Sequence, residues 1–363
     1  MSLLKKLFGS KEEPIQSNDD FWNWFQQNAE SFFKVVKEQG DFEKHFFNKL
    51  SPKLRQLREG YYFLTGMADE NTAELILTPD GALTNIVFVE ELVASAPKIA
   101  NWKFTALKPA IDVANVNIQM GNLNFNKDNL SFYYNEDPNF PDEIKITVIH
   151  NDFTEKDKEA ITNGTYIFLD NFLGELNFIT TIDKIKVSGK ESGKELISIE
   201  KLKDFLVWRE KEFIEKYDGI RHNTENDRYS ILEAKLSNGN PLLATVNTDL
   251  LHWDSKASHP WILNIEVKFV ADENGMPLDD IATSKLDELE DDLLLRLKDS
   301  EGYLLIGRET ANGSREIYFA CKDFRKPCKV MEDIIMNYED RFEIAFDIYK
   351  DKYWQSFNRY VSN

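Results

Sequence analysis

The chain has 363 residues, 42% of them hydrophobic and 13% aromatic, and its 44 basic and 63 acidic side chains leave a formal net charge of −19. That length points to two domains, the apolar fraction excludes extended disorder, and the negative field repels phosphate backbones, so nucleic acid is not an expected partner. The two cysteines, Cys321 and Cys328, are too few for a disulfide framework and fit a reducing cytoplasm, and no apolar run is long enough to span a membrane.

Residues 1–16 are expected to form a flexible terminus. Met1 to Glu12 holds only one basic turn with an apolar face, too little for stable membrane association. Residues 17–217 read as an α+β domain. Asn18 and Asp19 offer N-cap groups to a helix that places Phe21, Trp22, Phe25, Phe32, Phe33 and Val36 on one face. A second helical stretch from Asp41 to Leu57, with Ser51-Pro52 placed to restart it, completes a helical hairpin. Alternating segments at 61–67, 73–78, 102–107, 130–134 and 144–149 predict one mostly antiparallel sheet. Helices are expected from Ile86 and Thr154, and Leu176 to Val187 reads as extended. A connecting helix from Ser198 to Tyr217 then leads to a polar linker at 218–228.

Residues 229–363 carry the clearest pattern. Asn238-Gly239 marks a first hairpin. Trp261, Leu263, Ile265, Val267 and Phe269 alternate with Asn264, Glu266 and Lys268, which predicts a strand with one core face and one wet face. Ile281, Leu286, Leu289, Leu293 and Leu297 then recur at helical spacing, opposite Asp287, Glu288, Glu290, Asp291 and Asp292. Asn312-Gly313 joins two further strands, and a helix at 330–338 and a last strand at 342–349 follow. The order βαββαβ is the ferredoxin-like, split-βαβ arrangement with an extra N-terminal hairpin.

Several short motifs in this part are distinctive: Gly275-Met-Pro277, Leu289-Glu-Asp-Asp-Leu293, Ile306-Gly-Arg308 with Thr310, Gly313-Ser-Arg-Glu-Ile-Tyr-Phe319, and Asp351-Lys-Tyr-Trp354. Through them residues 229–360 resemble a bacterial domain-of-unknown-function family, number six-nine-five. The motifs specify turns and packing rather than chemistry. The resemblance implies a neighbouring domain similar to the regulator-of-ribonuclease-activity B family, of acidic, protein-binding character, and makes inhibition of a ribonuclease an analogy.

No nucleophile signature or metal-binding helix spacing is present, and catalytic residues are unassigned. His252, Asp254 and His259 are the candidate ligands for a divalent metal; no cofactor is expected. Asp287, Glu288, Asp291 and Asp292 on the acidic helix, with Glu266 and Tyr318 on the wet face of the sheet, are the candidate partner-binding residues. On this reading the chain is a cytosolic, acidic, non-enzymatic protein-binding or regulatory module whose partner has a basic surface. The alternative is a small-molecule-binding or metal-assisted hydrolytic enzyme with its site between the two domains. Serine at the four helix acids is expected to leave stability nearly unchanged, because relief of like-charge pairs offsets the loss of helix propensity.

Overall fold

The computed structural model describes residues 14–191 and 193–361, and the amphipathic turn read from Met1 to Glu12 lies outside them. The protein is mixed α and β, with helices and several separate sheets. The chain forms two compact units, one of residues up to Ile111 with Asp170–Leu176, the other of Asp112–Leu169 with Asn177 onward.

In the first unit, α1 (Asn18–Lys37) is capped by Ser17, whose hydroxyl accepts from the Asp20 amide, rather than by Asn18 or Asp19. Phe21, Trp22, Phe25, Phe32 and Val36 are buried as their spacing predicts, whereas Phe33 is half-buried. A π-helical turn, Glu43–Phe47, runs into α2 (Asn48–Leu57), and Pro52 lies inside that helix instead of restarting it. β1 (Tyr62–Met67) pairs antiparallel with β2 (Ala73–Thr78). β2 pairs in parallel with β3 (Trp102–Ala106), with α3 (Ile86–Ala94) as the crossover that a parallel pair requires. Phe25 meets Trp102 edge-on at 5.1 Å and Phe46 lies 4.8 Å from Phe32, so the aromatic stripe is core. Glu175 is fully buried but well supplied with donors, accepting from the Thr78 hydroxyl and from the amides of Gly81 and Lys108.

In the second unit, β4 (Ile118–Met120) and β5 (Leu123–Phe125) form a short hairpin. β6 (Leu130–Tyr134), β7 (Lys145–His150), β8 (Lys184–Ser188) and β9 (Ile197–Ser198) form a sheet of order β8-β7-β6-β9, in which β7 and β8 are parallel. Helices α4 (Lys158–Leu173) and α5 (Glu175–Thr181), which between them carry the Asp170–Leu176 stretch of the first unit, precede β8, and α6 (Leu202–Tyr217) follows β9. The single, mostly antiparallel sheet expected before residue 190 is therefore, among the described residues, three separate sheets, with β2–β3 and β7–β8 as parallel pairs. Leu176 to Thr181, expected extended, is helical, and Thr154 precedes its helix by a turn. Short apolar runs fit either period, and burial decides between them.

The segment 218–228, expected as a linker, lies within this second unit and is held by specific partners. His222 Nε2 is 2.8 Å from Asp227, Asp299 accepts from the Thr224 amide and hydroxyl at 3.0 Å, and Arg228 pairs with Asp249 at 2.6 Å. Polar composition alone does not reveal a partner 75 residues away.

The same unit contains a six-stranded antiparallel sheet built from β10 (Tyr229–Lys235), β11 (Pro241–Asn247), β12 (Trp261–Lys268), β13 (Tyr303–Ala311), β14 (Ser314–Cys321) and β15 (Glu343–Lys350). Its order is β10-β11-β13-β14-β12-β15. The short helix α7 (Thr248–Leu251) follows β11, α8 (Asp280–Arg296) connects β12 to β13, and α9 (Arg325–Tyr338) connects β14 to β15. Leu286, Leu289, Leu293 and Leu297 of the α8 segment are buried as expected, but Ile281 in its first turn is exposed. The pairing of β13 with β14 shifts register between Leu305 and Gly307. A Cβ at Gly307 would stand 2.4 Å from the Thr245 carbonyl oxygen, so only glycine fits this approach of β11 to the irregular strand.

Candidate functional site

The two faces of this sheet treat their acids differently. On the face covered by α8, the sheet contributes Arg308 and Arg315. Arg315, only 5% exposed, reaches Asp287 at 3.0 Å and donates from Nε to the Thr310 hydroxyl at 3.3 Å. Arg308 bonds the buried Glu290, and Asp287 lies 3.8 Å from the same guanidinium. Glu288 pairs with Arg341 at 3.1 Å, and Asp292 with Arg296 at 2.9 Å. The acids expected to form an open face are thus mostly paired within the chain, and of them Glu288 and Asp291 are exposed. Arg308, Thr310 and Arg315 were legible as motif residues, but their role of clamping α8 to the sheet was not. That role required knowing that α8 crosses those strands.

The opposite face, expected to be wet, is covered by the carboxy-terminal turn of 3-10 helix Gln355–Tyr360 and by α7. Tyr318, expected to point to solvent, is buried: Phe357 packs edge-on against it at 5.2 Å, and its hydroxyl donates to Glu309 at 3.0 Å. Arg359 completes this wall, pairing with Glu309 at 3.2 Å. Ile262, on the nominally wet side of β12, is buried in the same cluster with Trp354 and Phe357.

Beside that wall the face is rich in acceptors. The strand register sets Glu266 directly opposite Glu316, and Glu316 opposite Glu309, so three carboxylates form a row across β12, β14 and β13. One row along, Asn264 stands between Asp347 and Tyr318. All three glutamates and Asn264 are half-buried. Ser314 offers one weak donor to Glu266 at 3.4 Å. Asn264 Oδ1 and Glu316 Oε2 are buried and have no hydrogen-bond partner among the described residues. The Glu316 carboxyl titrates above the usual range, first because burial disfavours its charge and then because Glu266 and Glu309 repel it; a hydrogen bond from Asn264 acts the other way.

The expected metal trio does not present a common face. His252 is exposed, with Nδ1 2.8 Å from the Thr248 carbonyl, and Asp254 is exposed, while His259 is fully buried. The Ser258 hydroxyl donates to the Ser255 carbonyl at 2.6 Å, so His259 Nδ1, 2.8 Å from that hydroxyl oxygen, is its protonated nitrogen. Nε2 is then a bare acceptor, buried and without a partner among the described residues. Burial, reinforced by Lys322, Arg221 and His222, lowers the His259 pKa to about 4. Among the described residues no group of three His, Cys, Asp or Glu is arranged to hold a metal. Cys321 and Cys328 are both buried, and burial raises the Cys321 thiol well above its ordinary range, which suits packing rather than redox exchange. No helix among the described residues is long and apolar enough to cross a membrane.

No curated protein and no solved structure matches the chain. The resemblance read from the motifs of the carboxy-terminal part is met by a family model: residues 234–362 match the Family of unknown function (DUF695).

Proposed function

We propose that residues 229–363 form a ferredoxin-like, protein-binding regulatory module that receives a basic side chain of its partner on the acceptor-rich face of the sheet. The strand order β15-β12-β14-β13, with α8 and α9 as crossovers, supports the ferredoxin-like reading, and β10 with β11 is the added hairpin. The binding reading rests on the half-buried carboxylate row of Glu266, Glu316 and Glu309, in which Glu316 Oε2 and the neighbouring Asn264 Oδ1 lack a donor among the described residues. Leaving such groups unsatisfied costs stability, and a lysine or arginine head group supplies only donors together with the opposite charge. On this reading Glu266 belongs to the carboxylate row that meets the partner, while the buried Tyr318 positions Glu309 instead of touching the partner. The net charge of −19 favours encounter with a basic partner.

The test is a titration of isotope-labelled full-length protein with a short arginine- and lysine-containing peptide and its citrulline and acetyl-lysine counterparts. Shifts are expected at Asn264, Glu266 and Glu316, with the charged peptide alone, and are expected to vanish in Glu316→Gln and Glu266→Gln. Shifts that centre on Asp291 and the outer side of α8 would sink this reading.

A further inference from the structure

The geometry points to a second surface, the free edge of β10, and to a second copy of this chain as its occupant, paired antiparallel so that two six-stranded sheets become one. β10 ends the strand order, and its residues are exposed almost throughout, Ile231 at 74%. The ladder to β11 shows which of its backbone groups are unused. The Leu236 amide bonds the Asn240 carbonyl, and the Thr248 amide bonds the Arg228 carbonyl, each at 2.9 Å. Antiparallel pairs alternate, so even-numbered residues between these two turn their amides and carbonyls toward β11. Tyr229, Ile231, Glu233 and Lys235 turn theirs away from the sheet. An edge of this kind is a template for another strand; Tyr229–Lys235 has no proline and no bulge, no loop of the described residues buries it, and the charges that guard it are Glu233 and Lys235.

Self-pairing is favoured by the charge order along the edge. Glu233 and Lys235 lie on one face of β10, two residues apart. A two-fold axis through Ala234, perpendicular to the sheet, sets Glu233 of each copy against Lys235 of the other and Leu232 against Leu236. The register centred on Glu233 sets like charges opposite each other and is disfavoured. The edge is locally neutral, so the repulsion expected from the overall charge is not concentrated there.

Two measurements on the full chain test this. Sedimentation equilibrium is expected to give a concentration-dependent dimer. Glu233→Lys or Lys235→Glu alone should weaken it about tenfold, because symmetry turns two attractive pairs into two repulsive ones. The double exchange, Glu233→Lys with Lys235→Glu, should restore it, which no binding of an unrelated peptide would do. Amide exchange is expected to slow at Ile231, Glu233 and Lys235 as concentration rises, while Ser230, Leu232 and Ala234 stay protected throughout. A chain that remains monomeric up to about 100 µM overturns the proposal, as does a double exchange no stronger than the single ones.

Discussion

The two faces of the six-stranded sheet bury acids beside one another and resolve them in opposite ways. Under α8, Asp287 and Glu290 meet Arg308 and Arg315, and every charge has a counter-charge within the chain. On the opposite face, beside the carboxy-terminal turn, Glu266, Glu309 and Glu316 share a row, and Arg359 goes to Glu309. The first arrangement fixes a helix, since removing either partner strands a buried charge. The second leaves Asn264 Oδ1 and Glu316 Oε2 without a donor among the described residues, a cost in stability that the paired face does not carry.

Breaking the paired face should have the largest effect. Arg315→Met leaves Glu290 and Asp287 to Arg308 alone and is expected to cost about 3 to 4 kcal/mol, read from the urea midpoint at constant slope. A loss below about 1 kcal/mol would mean that apolar packing of α8 suffices.

His259 offers an unpaired acceptor with no surface role, and its pH dependence sharpens the contrast. Its folded pKa of about 4 lies below the ordinary 6.5, so the folded state binds fewer protons than the unfolded chain between those values. The associated stability is full above pH 6.5 and is lost as pH falls toward 4, by about 2 to 3 kcal/mol. The difference between wild-type and His259→Phe stability curves over that window isolates it, and parallel curves would exclude it.

The quadruple change of Asp287, Glu288, Asp291 and Asp292 to serine separates surface charge from structure. Sequence alone predicts almost no change. The ion pair of Asp287 with the buried Arg315 turns that into a loss of about 1 kcal/mol by chemical denaturation, with Glu290 retaining part of the clamp. An unchanged midpoint would return those acids to the role of a solvated face.

The smallest effect has the opposite sign. Glu316→Gln removes two like-charge pairings, with Glu266 and with Glu309, and should stabilise the free protein by about 0.5 kcal/mol at pH 7, while peptide binding is lost. Because the Glu316 carboxyl is raised in the folded state, its contribution favours folding more as pH falls through that value, and the glutamine variant should lack this rise. Destabilisation by Glu316→Gln would show that the carboxylate already has a use within the chain.

Much of this protein was determined by local pattern. The alternation from Trp261 to Lys268, the spacing of Leu286, Leu289, Leu293 and Leu297, and the Asn-Gly turns at 238–239 and 312–313 specify their elements because each depends on neighbours within a few residues. The aromatic stripe of α1 specified a core for the same reason. Tertiary structure alone decided what each outward face meets. Tyr318 became buried because the chain returns over the sheet after β15, and Glu290 became an ion-pair partner because α8 lies across Arg308 and Arg315. Asn264 and Glu316 became unsatisfied acceptors because strand register put three carboxylates in a row, so the charge of a side chain is written in the sequence but its compensation depends on residues brought close by folding.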